Sequence, residues 1–226
     1  MRCMLRLLVI LAVPIVLTMT IVRALTFPWY ARFEYARTSF PTDPFGMPPE
    51  ERLRLAETTI RYLNLPGRPT MLEHLRFADG EPAYNERELG HMEDVKAVFD
   101  GLTLLAGVAL AVSLASVWFL VRLDRCAPWS ALAQGGALTL ALLLGLATWM
   151  LIGFEGFFQA FHGVFFASGT WVFSYSDTLI RLFPLPFWQD AGLLVAGGVC
   201  VLAACAVAVG VWRVRCCVAG RGTSQN

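Results

Sequence analysis

Two of the three histidines in this chain lie in segments that suit proton-transfer chemistry. His91 lies among charged residues, and His162 lies in a segment crowded with phenylalanine. Imidazole has an ordinary pKa of about 6.5, so histidine is well suited to moving protons near neutral pH. His74 has no comparable neighbours and is interpreted as a surface residue. His91 and His162 are therefore the candidates for proton transfer, and a structural role for both stays open.

The segment around His91 is predicted to be a helix that continues into an apolar stretch. Asn85 and Glu88 have the spacing of a capping box, and no helix breaker follows between Glu86 and Phe99. Six of the eleven residues 86–96 are charged. At about 1.5 Å of rise per residue, His91 stands on the order of 15 Å above Gly101, which is the level of lipid headgroups and ester groups.

The segment around His162, Phe154–Phe173, is apolar but contains Glu155 and Gln159. It could form a fifth membrane crossing, but that crossing would place the arginines near the C-terminus on the outer side. We interpret it as a helix that lies in or dips into the outer membrane interface. Burial among aromatic rings favours a neutral imidazole, which can act as a base or a metal ligand.

The composition predicts an integral membrane protein. Of the 226 residues, 57% are hydrophobic and only 15% are charged, against about 25% charged in an average soluble domain. These values exclude a disordered chain, a secreted disulfide scaffold and an ordinary cytosolic enzyme. The net charge of +1 gives no basic surface for a nucleic-acid partner.

Four stretches are long and apolar enough to cross a bilayer, which takes roughly 20 residues. No small-x-small cleavage site follows the first, so it is interpreted as a retained span rather than a signal peptide. Phe27–Tyr30, just after it, is interpreted as an aromatic interface belt. The predicted transmembrane helices are 5–22, 101–120, 131–152 and 191–212.

The distribution of arginines predicts the orientation, with the N-terminus and the tail 213–226 in the cytoplasm. The outer segments are then 24–100 and 153–190. They contain 16 of the 17 acidic residues, the exception being Asp124, and all three histidines. The active site is therefore predicted on the extracytoplasmic face.

None of the six cysteines lies in an outer segment. This distribution excludes an outer disulfide or an outer thiol nucleophile. Cys216 and Cys217 stand near a span end, where palmitoylation or metal binding is conceivable. We interpret them as small apolar fillers.

The first outer segment is predicted to be a small α-rich domain. Glu50 and Glu51 open a helix in which Leu53, Ala56, Ile60 and Leu63 recur at helical spacing, while Arg52, Glu57 and Arg61 face elsewhere. Leu72–Phe77 is expected to be extended. The predicted fold is thus an all-α polytopic membrane protein. It has four transmembrane helices, an α-rich extracytoplasmic domain and an interfacial or re-entrant helix.

Other chemistries find little support in the sequence. It contains no Gly-x-Ser-x-Gly, phosphate loop, dinucleotide fingerprint or His-Glu-x-x-His motif. A Ser–His pair stays open, because three serines lie close to His162 in the sequence. A metal-dependent lipid hydrolase also stays open, with Asp94 or Glu88 as a third zinc ligand. The three serines are Ser168, Ser174 and Ser176.

Two ordered motifs resemble the signatures of the Lit family, the lipoprotein intramolecular transacylases. The first runs from Asn85 to Lys96 and reads Asn-Glu-Arg-Glu-Leu-x-His-Met-x-Asp-Val-Lys. The second is Phe161-His162-x-x-Phe165-Phe166, followed by Trp171 and by 177–184, Asp-Thr-Leu-Ile-x-Leu-Phe-Pro. The four-span layout with a large first outer loop resembles the family too. One departure follows 184, where Leu185 and Pro186 stand in place of the expected acidic residue.

The resemblance implies an enzyme of the bacterial cytoplasmic membrane that acts on lipoproteins. The free α-amine of a diacylglyceryl-modified N-terminal cysteine attacks the sn-2 ester, and the acyl chain moves to the amine to give a lyso-form lipoprotein. No cofactor or metal is needed, because donor and acceptor belong to one molecule. The partners are this lipoprotein substrate and membrane lipids, and the sequence carries no signal for an oligomeric state.

The resemblance also implies roles for individual residues. One of His91 and His162 takes the amine proton, and the other serves as an acid or as an oxyanion donor. Glu88 or Asp94 orients His91, and Phe158, Phe165 and Trp171 shape a lipid slot. Arg87 and Lys96 form surface ion pairs or headgroup contacts. The alternative is a non-enzymatic membrane partner or scaffold whose outer domain docks another protein, with both histidines as packing residues.

Overall fold

The computed structural model describes residues 1–65 and 70–222, and the regular secondary structure of these residues is helical apart from a single bridge between Arg76 and Pro82. It divides into two compact units. The apolar unit comprises Met1–Ile21, Leu102–Phe154 and the chain from Val195 onward, and the polar unit comprises Val22–Gly101 and Glu155–Leu194. The helices are α1 Arg2–Leu25, α2 Pro28–Tyr35, α3 Pro49–Asn64, α4 Thr70–Glu73, α5 Glu86–Leu123, α6 Ala127–Ile152, α7 Phe154–Phe165, α8 Thr178–Leu182 and α9 Leu185–Gly222.

Four of these helices, α1, α5, α6 and α9, are long and apolar enough to cross a membrane. Each of the four predicted spans lies inside one of them. Large apolar side chains on these helices face outward. Leu104, Leu144 and Leu193, for example, are each about 70% exposed. Such surfaces are stable in lipid, where a helix satisfies its own backbone hydrogen bonds. The predicted all-α membrane fold with four such helices is therefore confirmed.

The apolar unit is packed through close approaches between helix backbones. A Cβ atom added to Gly210 on α9 would lie 2.6 Å from the carbonyl oxygen of Trp129 on α6. One added to Gly136 on α6 would lie 2.7 Å from the carbonyl oxygen of Ala203 on α9. Small residues permit such contacts, which drive helix association where the hydrophobic effect does not operate.

The polar unit has its own hydrophobic core, built around α2, α3 and α8. Tyr30, Leu55, Leu72 and Leu182 are among its fully buried side chains. Glu50 and Glu51 occupy the first turn of α3, as predicted. Tyr30 was expected in an interface belt. It is a core residue instead, because its hydroxyl donates a hydrogen bond of 2.7 Å to the Phe187 carbonyl.

The burial of Arg52 contradicts the prediction for α3. It was expected to face away from the apolar side, but it is only 4% exposed. Its guanidinium donates bonds of 2.6 Å to the carbonyl oxygens of Arg181 and Pro41 and lies over the rings of Tyr35 and Phe40. These partners, all distant in sequence, make burial of the charge tolerable.

Two shorter segments also differ from their predictions. Leu72–Phe77 was expected to be extended, but Leu72 and Glu73 belong to the one-turn helix α4, and only the bridge at Arg76 is strand-like. The interfacial helix was expected to span Phe154–Phe173, but α7 ends at Phe165. Gly169 then adopts a φ of 86°, which L side chains rarely adopt, so the chain turns there.

Candidate active site

The first turn of α5 is closed by the predicted capping box. The backbone amide of Glu88 donates 3.0 Å to Oδ1 of Asn85, and the Asn85 amide donates 3.0 Å to Oε2 of Glu88. Each side chain thus satisfies a backbone donor that the helix leaves unpaired. The box sets the start of α5, and His91 follows one turn later.

His91 lies half-buried among aromatic rings of the polar unit. The centroids of Phe166 and Phe173 are each 5.1 Å from its own. Its Nδ1 atom is buried and has no hydrogen-bond partner among the described residues. Burial lowers the pKa of His91, a proton on the nearby His162 lowers it further, and Asp94 opposes the shift. The ring is therefore neutral at neutral pH.

His162 on α7 has its ring orientation set by its own helix. Its Nδ1 atom lies 2.8 Å from the carbonyl oxygen of Phe158, one turn earlier. A carbonyl oxygen can only accept a hydrogen bond, so Nδ1 carries the proton and the lone pair of neutral His162 resides on Nε2. The Trp171 ring packs against the imidazole with centroids 4.8 Å apart and an interplanar angle of 33°.

Phe166 joins the two histidines. Its ring centroid lies 5.1 Å from that of His91 and 5.9 Å from that of His162. Residues 71 positions apart in sequence are thus brought onto one set of rings, here called the aromatic cluster: Phe158, Phe161, Phe166, Trp171 and Phe173. Phe166 belonged to the sequence motif, but it was not among the predicted supporting residues, and neither was Phe173.

Glu88 supports the site in a different way from the one expected. Its side chain is buried, and besides capping α5 it accepts a 2.8 Å bond from the backbone amide of Leu179 on α8. Burial raises the pKa of Glu88, and the bonds from backbone amides counteract that shift. Glu88 therefore ties α8 to α5 through the backbone and does not orient the His91 ring.

Asp177, missed among the site residues although its motif was noticed, organises the segment that leads to α8. It pairs with Arg87 at 2.8 Å and accepts bonds from the Asn85 side chain and the Ser174 amide. Arg87 also lies 5.4 Å from the Phe173 ring centroid. Arg87 thus forms the predicted surface ion pair, and this pair holds the segment that carries Phe173 beside His91.

The burial of Lys96 contradicts a second prediction. It was expected at the surface, but it is 7% exposed, pairs with Asp100 at 3.1 Å and lies 5.6 Å from the Tyr62 ring centroid. The ring and the carboxylate replace water around the ammonium group, so it serves the packing of α5.

The remaining predicted supporting residues differ in how near they lie to the histidines. Phe158 contacts His162 directly, with centroids 4.0 Å apart. Phe165 contacts Phe161 and Phe166. Asp94 is exposed and acts on His91 only through its charge.

The alternative chemistries gain no support from the geometry. Within residues 1–65 and 70–222, no three His, Cys, Asp or Glu side chains come together as a metal site. Ser168, Ser174 and Ser176 are all exposed. The arrangement instead offers a free imidazole lone pair, a neutral second imidazole and apolar walls suited to acyl chains.

Comparison with known protein families gives a match over most of the chain. The profile of the family described as lipoprotein intramolecular transacylase Lit matches residues 6–188. An uncharacterized protein of Aquifex aeolicus is 36% identical over 167 residues, which are 74% of this chain and 74% of that protein.

Solved structures share the fold. The membrane integral lipoprotein intramolecular transacylase Lit from Bacillus cereus superposes with a TM-score of 0.79 at 19% identity, covering 95% of this chain and 96% of the other. A second structure of that protein carries a substitution of one histidine by alanine. It gives a TM-score of 0.68 at 17% identity, covering 95% and 94% of the two chains. At such identities these matches show the fold alone.

Proposed function

Because this chain belongs to the Lit family of lipoprotein intramolecular transacylases and is therefore an acyltransferase, we propose that it moves the sn-2 acyl chain of a bacterial lipoprotein. The donor is the diacylglyceryl group on the N-terminal cysteine, and the acceptor is the α-amine of the same cysteine. The product is an N-acylated lyso-form lipoprotein. No second substrate is required, since donor and acceptor share one residue.

The observation that carries this proposal is the 2.8 Å contact between Nδ1 of His162 and the Phe158 carbonyl oxygen, from which the tautomer is assigned. With Nδ1–H donated to the Phe158 carbonyl, Nε2 is free to take a proton from the attacking α-amine. The amine nitrogen then bonds to the ester carbonyl carbon, and the carbonyl oxygen becomes an oxyanion. As the intermediate collapses, the bond to the glyceryl oxygen breaks and protonated His162 returns the proton to that oxygen. Ester and amine thereby become amide and alcohol.

His91 is assigned the role of an oxyanion donor. Burial lowers its pKa, so the ring is neutral and donates one N–H without presenting a full charge. A neutral imidazole is a poor proton donor for an alkoxide but a good hydrogen-bond donor to an oxyanion. Its Nδ1 atom, buried without a partner, is the candidate donor. The Phe158 and Trp171 rings beside His162 and the neighbouring Phe165 supply apolar contacts for the acyl chains.

We place this chemistry on the extracytoplasmic face of the bacterial cytoplasmic membrane. With the N-terminus in the cytoplasm, most of the arginines that flank the four candidate spans lie at the cytoplasmic ends. This distribution agrees with the positive-inside rule. In this orientation both histidines meet lipoproteins in the outer leaflet, where the substrate ester groups lie. The enzyme crosses the membrane four times, with the N-terminus inside.

The test is expression in a bacterial host that lacks lyso-form lipoproteins, followed by mass spectrometry of lipoprotein N-termini. The wild-type chain should produce the lyso form. His91→Ala and His162→Ala should each reduce it by at least about 10²-fold, the usual scale for losing an oxyanion donor or a general base. His74→Ala is the matched control, because His74 is exposed and has no assigned role.

Two results would contradict the proposal. If the wild-type chain yields no lyso form, the reaction is wrong. If lyso form appears but either catalytic-site variant matches the His74→Ala control, the assignment of the histidines is wrong, and a packing role for that histidine takes its place.

A further inference from the structure

Trp171 presents a buried hydrogen-bond donor that the protein does not use. Three buried side-chain atoms of the described residues lack a partner, and two of them are Nε1 of Trp171 and Nδ1 of His91. An indole N–H can only donate. Leaving such a donor buried and unpaired costs on the order of 1–3 kcal/mol, so unpaired donors are rare in structural roles.

Two other tryptophans of the polar unit have acceptors within the protein for their indole N–H groups. Trp29 donates 2.6 Å to the carbonyl oxygen of Ala24, and Trp188 donates 3.0 Å to that of Phe183. Both donors stay satisfied although their side chains are about half exposed. The indole of Trp171 is less exposed, yet its N–H has no acceptor among the described residues. This difference points to an acceptor that arrives with the substrate.

The position of Trp171 narrows the identity of that partner. Its ring packs against His162 with centroids 4.8 Å apart, so the buried N–H and the imidazole belong to the same site. The amine activated by His162 must lie within about 3 Å of Nε2. The ester carbonyl under attack lies next to that amine, and therefore close to the packed rings of His162 and Trp171.

We propose that Trp171 is a further catalytic residue, whose Nε1–H donates to the carbonyl oxygen of the ester under attack. This inference rests on the proposed transacylase reaction and deepens it. When the amine nitrogen bonds to the carbonyl carbon, the π electron pair moves to the oxygen. The indole N–H then bonds the oxyanion until the glyceryl oxygen leaves and the carbonyl re-forms. The bond strengthens as charge develops, so it accelerates the reaction rather than merely binding substrate.

Phe158 is a partly exposed neighbour of the Trp171 indole. This ring packs edge-on against Trp171 at 5.7 Å between centroids and is itself 39% exposed. An acyl chain that displaces the phenyl ring reaches the indole edge and keeps water out of the site. The donor is therefore buried before binding and partnered afterwards.

The test replaces the N–H and little else. A Trp171→3-benzothienylalanine variant, made by suppression of a stop codon, keeps the bicyclic ring but has sulfur in place of N–H. Trp171→Phe serves as a second variant with a genetically encoded residue. The same benzothienyl substitution at Trp188, whose N–H bonds to Phe183, is the matched control. The substrate is a synthetic lipopeptide with a diacylglyceryl cysteine and a free α-amine, in detergent micelles.

We expect kcat to fall by about 10²-fold in both Trp171 variants. KM and the thermal unfolding temperature should stay near wild type, and the Trp188 variant should keep full activity. A raised KM with unchanged kcat would overturn the inference, because the indole would then bind a spectator group equally in ground and transition states. Unchanged kinetics would overturn it as well. Failure of the wild-type enzyme to convert the lipopeptide would instead refute the proposed function.

Discussion

Each of the two units is stabilised internally by a different kind of interaction. In the apolar unit the tight contacts are between backbones. A Cβ atom added to Gly210 would lie 2.6 Å from the carbonyl oxygen of Trp129 and 2.8 Å from the backbone nitrogen of Ala133. In the polar unit, charged side chains reach far along the chain to backbone groups, as Arg52 reaches Arg181 and Glu88 reaches Leu179. Lipid offers no hydrogen bonds, so the apolar unit depends on shape, whereas the polar unit can bury charges that are fully partnered.

This difference explains why the chemistry lies in the polar unit. Glu88, Arg87 and Asp177 connect the first turns of α5 to the segment before α8, and that segment carries the rings beside His91. Charge-assisted bonds of this kind fix a local geometry. The close packing of small residues can join helices, but it supplies no titratable group.

The strongest test of the contrast removes Asp43. Its side chain has no exposed surface, pairs with Arg181 through both oxygens and accepts the backbone amide of Met47. Asp43→Ala should cost about 3 kcal/mol, because it leaves Arg181, whose side chain is only 15% exposed, without its counter-charge. The measurement is thermal unfolding in detergent, with Glu50→Ala, at an exposed position, as the control. If Asp43→Ala lowers the stability no more than Glu50→Ala does, partnered charges do not stabilise the polar unit.

In the apolar unit the equivalent change is Gly210→Ala. The added methyl group would meet backbone atoms of Trp129 and Ala133, which cannot rotate away. We expect a loss of about 3 kcal/mol, at the upper end for overpacking. Gly197→Ala on the same helix meets nothing within 4 Å and should be neutral or slightly stabilising. If both variants unfold at the same temperature, α6 and α9 are not in close backbone contact.

A smaller effect is expected for Glu88→Gln. The amide keeps one acceptor oxygen but turns an NH2 group toward a backbone amide, so one donor loses its partner. This should cost about 1–2 kcal/mol and lower acyl-transfer activity through the position of α8. Glu86→Gln, one position into the same helix and exposed, is the control. Wild-type stability together with wild-type activity in Glu88→Gln would show that the α5–α8 bond is dispensable.

The smallest predicted effect is a titration. Burial lowers the pKa of His91, so its ring stays neutral until the pH falls below the ordinary value of about 6.5. An acidic limb of the activity profile that belongs to His91 should therefore appear below that pH and not above it. Phe166→Ala should admit water and move the His91 midpoint upward, as followed by NMR of labelled histidine. Phe157→Ala, which removes a ring that stacks on Phe161, should leave it in place. A His91 midpoint above 6.5 in the wild-type protein would contradict a desolvated environment for this ring.

Much of the fold follows from local pattern. The apolar runs predicted the four long helices, because about 20 apolar residues suffice to cross the hydrocarbon core. The spacing of Asn85 and Glu88 predicted the first turn of α5, because a capping box is made by residues three positions apart. Residue type drew attention to His91 and His162, and the motifs that contain them include Phe166 and Asp177.

What local pattern missed were the partners of buried polar groups. Periodicity placed Arg52 away from the apolar face of its helix, and Lys96 was expected in a surface ion pair or a headgroup contact. Both are buried, because carbonyl oxygens, rings or a carboxylate replace water around them. Glu88 was expected to orient a neighbour on its own helix and instead bonds to a residue 91 positions away. Helical spacing reports only which residues share a face. Which distant backbone group meets that face, and hence which tautomer, ion pair or unpaired donor results, depends on how the whole polar unit packs.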